Sequence, residues 1–136
     1  MKTLTLTFDY LPDLDKVGGN ARHAHWAPAH KDFQAEKQMW YGLIREQLIP
    51  PMPYFARAEA FIVFIFATDV RRDQDGLMIA LKPLWDAMKK PGPNPKDYGW
   101  SILDDDDMDH LVVHIPTLFI NPKLAPQTIV RLVELE

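Results

Sequence analysis

The sequence predicts a small α+β domain, one sheet of about four strands packed with two main helices, with residues 1–136 forming a single domain. Three observations predict it. The N-terminus alternates polar and apolar residues as a half-buried strand does, residues 31–48 place apolar side chains on one helical stripe, and the run "FIVFIFAT" has the unbroken apolarity of a central strand. A chain of 136 residues is long enough to bury one ordinary core.

Taken in order, Leu4, Leu6 and Phe8 alternate with Thr3, Thr5 and Thr7 to give the first strand. The following "LPDLDKVGGNARHAHWAPAH" is rich in Pro, Gly, Asn and His and predicts a long loop, a feature that is usually functional or mobile in a compact domain. From Lys31 to Leu48 the residues Phe33, Trp40, Leu43, Ile44 and Leu48 share a helical stripe, with Lys37, Arg45 and Glu46 off it. "IPPMP" ends that helix, because proline lacks the amide hydrogen and restricts the residue before it. Arg57 to Thr68 is apolar on both parities, which predicts a strand covered on both faces. "GLMIALKPLWDAMKK" predicts a second helix in which Pro83 marks either a kink or the true start. "PGPNPKDYG" reads as a loop with little structure of its own, and "HLVVHI" and "TIVRLVEL" as two further strands. No internal repeat or linker interrupts the pattern.

Composition narrows the function classes. Apolar residues make up 47% and charged residues 25%, as in ordinary globular proteins, and no apolar run approaches the roughly 18 residues of a membrane span. The alternating N-terminus does not read as a signal peptide. The absence of cysteine removes disulfides, thiolate metal sites and cysteine nucleophiles, and fits a cytoplasmic protein. Net charge is −4, which argues against simple coating of nucleic acid. Asp104 to Asp107 account for that whole deficit, so cations bound there would change the charge a phosphate backbone meets.

Two acidic segments carry the chemistry. "DVRRDQDGL" follows the apolar run directly, and "LDDDDMDH" arrives some thirty residues later. If the chain stays extended past Arg72, Asp73 and Asp75 point to the same side and face one cation. Hard divalent cations take oxygen ligands, and Mg²⁺ is typically held by one or two carboxylates together with water and substrate phosphate. A third carboxylate from the aspartate run completes a nuclease-type site, with Arg71, Arg72 and Lys82 offsetting phosphate charge. The structural reading stands beside this one. Asp-x-Asp after a strand is commonly a solvated turn, Asp73 or Asp75 can cap the next helix, and Asp107 or Asp109 can turn the chain before the next strand.

In that order, "RRDQDGLMIALKPLWDAM" followed by "GWSILDDDDMDHLVV" resembles the RusA family of Holliday junction resolvases, common in phages and prophages. Asp73 and Asp75 match the family's first acidic pair, Lys82 its helical lysine, "WDAM" the helix end and the start of "DDDD" the second acidic site. "LP…GGNARHAHW" is similar to the family's loop after the first strand. The resemblance implies a mixed sheet and a homodimeric endodeoxyribonuclease that resolves four-way junctions and other branched DNA by paired nicks, in recombination and repair. It implies Mg²⁺ as cofactor, with Mn²⁺ as a substitute, in the cytoplasm of a bacterial or phage-infected cell. It further implies that Asp73, Asp75 and Asp105 or Asp104 are metal ligands, Asp105 being preferred as the second Asp of the pair, and that Lys82 steadies the scissile phosphate. Asp106 stays open as an alternative. Here Gly76 stands where the family has Asn, and the lysine follows Asp75 by seven residues where the family has four; on a continuous helix those positions share a face.

In the long loop, Asn20, Arg22 and His25 are candidates for phosphate contacts, and Trp26 for stacking on an unpaired base or for a core position. His23 and His25 have metal-ligand spacing but no third ligand in sequence. Trp40 and Trp85 fall on apolar stripes and read as core, while His110 and His114 flank a strand and read as structural. Two alternatives to the nuclease follow from the same residues: a RusA-like junction-binding protein without cleavage, and an unrelated domain whose aspartates bind a cation or solvate a turn.

Overall fold

A computed structural model describes residues 2–14, 26–69 and 74–136, with the side chains of 26–29 excepted. Its elements run β1 (Thr3–Phe8), α1 (Trp26–Arg45), β2 (Ala58–Phe66), α2 (Gln74–Ala80), α3 (Lys82–Met88), β3 (Leu111–Val113), β4 (Thr117–Ile120) and β5 (Gln127–Glu134). The sheet is mixed, in the order β1-β5-β2, with β3 and then β4 running parallel to the far edge of β2. β5 lies antiparallel to both β1 and β2. The domain is therefore a small α+β fold, with five strands where the sequence predicts about four. β4 is the addition.

The threonine-leucine alternation does its expected work in β1. Leu6 and Phe8 are buried while Thr3, Thr5 and Thr7 face water. In β2 the even positions Ala58, Ala60, Ile62, Phe64 and Phe66 enter the core, but Phe61 is 39% exposed and Glu59, Val63 and Ile65 are only half-buried. The expectation of cover on both faces is thus corrected. The odd residues of β2 lie beside their cross-strand partners, Val112 and Val133 at Glu59, Ile129 and Thr117 at Val63, and Phe119 and Gln127 at Ile65, and neighbours in a sheet protect one another without a second layer.

The helices supply the covered face. Trp40 and Ile44 of α1 are fully buried, as the stripe predicts, and the Trp40 ring meets Phe8 and Tyr10 edge-on at 5.0 Å each. α1 packs against α3, which buries Leu84, Trp85, Ala87 and Met88. Pro83 settles the second helical segment. α2 ends at Ala80, Leu81 breaks the pattern, and Pro83 occupies the first turn of α3, where its missing amide hydrogen costs nothing. Lys82 therefore opens a new helix and does not continue α2.

Lys37 departs from expectation. Off the apolar stripe, it is nevertheless only 5% exposed, because the loop 91–99 lies over this side of α1. Its ammonium donates to Asp97 Oδ1 at 2.8 Å and sits 4.3 Å from the Tyr98 ring centre. Asp97 also accepts the amide hydrogens of Gly92 at 2.6 Å and Tyr98 at 2.9 Å, so the proline-rich loop is pinned to the helix by one carboxylate. No helix among the described residues is long and apolar enough to cross a membrane.

Candidate active site at the acidic turn

The aspartate run is held by the two apolar residues before it. Ile102 and Leu103 are fully buried, and the backbone around them is stitched to its neighbours. Ile102 donates to Met88 O at 2.9 Å, Phe55 donates to Ile102 O at 2.9 Å, and Lys90 donates to Leu103 O at 2.8 Å. The anchored pair fixes where Asp104 to Asp107 emerge, against the C-terminal end of α3. Ser101, just upstream, takes a φ of 56°, a left-handed conformation that non-glycine residues rarely adopt.

Each aspartate then finds a different partner. Asp104 Oδ2 accepts the Tyr54 hydroxyl at 2.6 Å, a bond that raises the Tyr54 pKa above its ordinary value. Asp105 Oδ1 accepts the Asp106 amide hydrogen at 2.7 Å. Asp106 is ion-paired with Lys82 through Oδ2 and with Lys89 through Oδ1 at 3.6 Å. Burial pushes the Asp106 carboxyl upward, but the Lys82 hydrogen bond and the charges of Lys82 and Lys89 outweigh it and hold the group below the usual carboxylate range. Asp107 turns the chain, accepting the Asp109 amide at 3.0 Å and meeting His110 Nδ1 at 2.6 Å, as the capping reading expects.

Asp86 completes an ionic quartet. It receives Lys82 at 3.0 Å and Lys89 at 3.1 Å, four and three residues away on α3, so two lysines and two carboxylates neutralise one another. Desolvation lowers the pKa of both lysines, yet their hydrogen bonds and the nearby carboxylates raise it further, and both stay ammonium ions at neutral pH. Lys82 thus reaches the acidic turn from α3. The spacing of Asp86 and Lys89 was readable in the sequence as a helix-face pattern; Asp97 and Tyr54 carried no such signal.

Asp104 and Asp105 line an open cavity of about 270 Å³ with Lys89, Lys90, Pro91, Gly92 and Asp97. Two carboxylates facing open space beside cations form a donor set that suits a hard divalent ion and a phosphate together. Asp106 and Asp107, engaged by lysines and by the turn, are poorer donors. Asp75 lies exposed in the first turn of α2, so the extended chain expected through the Asp-x-Asp pair does not hold at its second member. A carboxylate there is stabilised by the positive end of the helix. Asp73, Arg71, Arg72, Asn20, Arg22, His23 and His25 lie outside the described residues, as does the Trp26 side chain. Among the described residues no three His, Asp or Glu side chains form a metal-holding group, and none brings Asp75 to the acidic turn.

His110 and His114 make local contacts within the fold. His114 meets Glu59 Oε1 at 2.8 Å and stacks on Phe61 at 4.4 Å. The Asp107 hydrogen bond raises the His110 pKa above 6.5 by favouring the imidazolium. In an NMR titration His110 is expected to titrate above that value, and Asp107→Asn to return it towards 6.5.

A comparison of the chain with known families and curated proteins finds no protein-family model that matches it and no curated protein with a significant match.

Proposed function

We propose that the protein is a metal-dependent endodeoxyribonuclease acting on four-way junctions or related branched DNA as a homodimer. The observation that best supports this reading is the meeting of two sequence-distant segments. Lys82 and Lys89 of α3 converge on the aspartate run through Asp106, while Asp104 and Asp105 line an open cavity together with Lys89 and Lys90. That is the charge arrangement phosphodiester hydrolysis needs: oxygen donors for a cation, and ammonium groups for a phosphate that gains negative charge as it is attacked.

In this reading Asp105 and Asp104 would hold Mg²⁺ or Mn²⁺, which would supply Lewis acidity towards the phosphate and activate water; Asp73 and Asp75 of the other acidic segment are the further candidate ligands, although among the described residues Asp75 does not join the acidic turn. Lys89 and Lys90 receive the phosphate oxygens at the cavity edge. Lys82 acts through Asp106, holding the turn so that Asp105 keeps its orientation, and it contacts the scissile phosphate once the DNA displaces one of its carboxylates. A two-fold dimer presents two such sites to the two strands that must be nicked.

Cleavage of a labelled synthetic four-way junction, against linear duplex of matched sequence, tests the reading. Paired nicks in the junction alone are expected with Mg²⁺ or Mn²⁺, none with chelator, and a loss of at least about a hundredfold in Asp75→Asn. Tight junction binding without cleavage would support a non-cleaving binding protein in its place, and absence of both would reduce the aspartates to turns and caps.

A further inference from the structure

A second cleft lies across the pinned loop from the acidic cavity. Gln38, Tyr41, Gly42 and Arg45 of α1 and Tyr98 of the loop enclose about 350 Å³. Tyr41 and Tyr98 form its aromatic wall, with Trp100 behind Tyr41. Tyr41 and Trp100 stack at 4.4 Å with an interplanar angle of 14°, Trp100 Nε1 donates to Tyr41 O at 2.9 Å, and Tyr98 stands edge-on to Tyr41 at 5.0 Å. Gly42 leaves the floor bare, with no atom within 4 Å of where a Cβ would stand. Arg45 lies over the edge of this wall, its guanidinium 5.5 Å from the Tyr41 ring and 5.9 Å from the Trp100 ring, without a carboxylate partner among the described residues. The Gln38 amide likewise has no hydrogen-bond partner there.

These features select a ligand by chemistry. Flat rings call for a planar aromatic group, an unpaired guanidinium for an anion, and a free amide for the donor-acceptor edge of a heterocycle. A nucleotide carries all three, and the volume falls at the small end of ligand pockets. The cleft also adjoins the acidic cavity. Asp97 lines one and Tyr98, the next residue, lines the other, while Lys37 bonds the first and covers the ring of the second.

We propose that this cleft seats one unpaired nucleotide of a single DNA strand, its base over Gly42 between Gln38 and the Tyr41–Tyr98 pair and its phosphate on Arg45. Resting on the nuclease reading, the inference assigns the cleft the task of anchoring an unpaired nucleotide at a branch point, so that the adjoining backbone runs towards Asp104 and Asp105. It accounts for a bare glycine in the last turn of α1, where another residue would favour the helix more.

The decisive variant is Gly42→Leu, whose Cβ enters open space, whose longer side chain occupies the cleft, and which removes a helix-weakening glycine. Binding of a labelled ten-nucleotide single strand is measured by fluorescence anisotropy in chelator, so that cleavage plays no part. Gly42→Leu and Arg45→Ala are each expected to weaken binding about tenfold or more, the scale of losing one base stack or one phosphate contact, with the melting temperature of Gly42→Leu unchanged or raised. A strand made abasic throughout is expected to bind more weakly than the normal strand. Competition by free dAMP would identify the mononucleotide as sufficient, and its failure to compete would assign the site to a nucleotide within a strand. Wild-type affinity in Gly42→Leu, equal binding of the abasic strand, or no single-strand affinity in the wild type would each overturn the proposal. Junction cleavage by the same proteins in Mg²⁺ separates the two readings: a wild type that binds through the cleft but never cleaves removes the nuclease and keeps the cleft, and one that cleaves while Gly42→Leu binds normally does the reverse.

Discussion

Replacing Asp105 with Asn is expected to lower junction cleavage by about 10³-fold or more, while Asp106→Asn lowers it far less and costs the protein stability instead. The two residues are adjacent and chemically identical, so the contrast comes entirely from their surroundings. Asp105 accepts the Asp106 amide through one oxygen and also interacts with the Asp106 carboxyl, but it lines the open cavity with Asp104, where its carboxylate is accessible to a cation. Losing a ligand's charge at such a centre removes several kcal/mol of transition-state stabilisation, which is a factor of 10³ or more in rate. Asp106 is already engaged by Lys82 and Lys89. Its neutralisation leaves two ammonium groups on Asp86 alone, loosening the end of α3 against the turn. A cleavage time course and a urea titration on each variant separate the outcomes. Equal loss of cleavage in both variants, with equal stability, would mean the run acts only as a diffuse negative patch.

The elements most legible in the sequence are those whose pattern repeats under one burial rule. Leu6 and Phe8 against three threonines need no tertiary knowledge to be read as one face of a strand, and Trp40 and Ile44 follow helical spacing in the same way. Pro83 left two options, and the structure takes the helix start because Leu81 and Ala80 are buried where the two short helices meet. β4 escaped because no face of it is buried: Leu118, Phe119 and Ile120 are all at least 36% exposed, so alternation carries no signal there. Lys37 looked like a solvent-facing charge because what covers it is a loop some sixty residues later, and no local pattern announces that contact. The acidic site was readable as composition, four aspartates in a row, but not as a division of labour. Which aspartate meets Tyr54, which meets a lysine and which faces open space depends on the depth at which Ile102 and Leu103 are anchored.

The same buried lysine supports a prediction with a large effect on stability. Asp97→Ala is expected to destabilise the fold by about 3–5 kcal/mol, and Lys37→Met by clearly less. The asymmetry follows from burial. The Lys37 side chain is 7% exposed, so without Asp97 its ammonium is stranded away from water with only the Tyr98 ring beside it. The Asp97 side chain is 30% exposed and keeps the amide hydrogens of Gly92 and Tyr98, so without Lys37 it remains solvated and hydrogen-bonded. Acid should reveal the same pair. The Lys37 hydrogen bond, aided by the Gly92 amide, lowers the Asp97 pKa from 3.8 to about 2. A depressed carboxylate contributes stability that is fully present above the unfolded value and is lost as pH falls through the folded one, so the loss runs from about pH 4 to about pH 2. Solvent screening at the partly exposed carboxylate leaves roughly 1–2 kcal/mol of pH-dependent stability in that window. Urea midpoints of the wild type, Asp97→Ala and Lys37→Met at pH 7 and pH 3 measure both effects. Asp97→Ala should lie lowest at pH 7 and lose least on acidification, because the group that would have titrated is gone. If Lys37→Met proves the more damaging change at pH 7, the lysine is held by its aliphatic packing and the Tyr98 ring, and the carboxylate is incidental to the pinned loop.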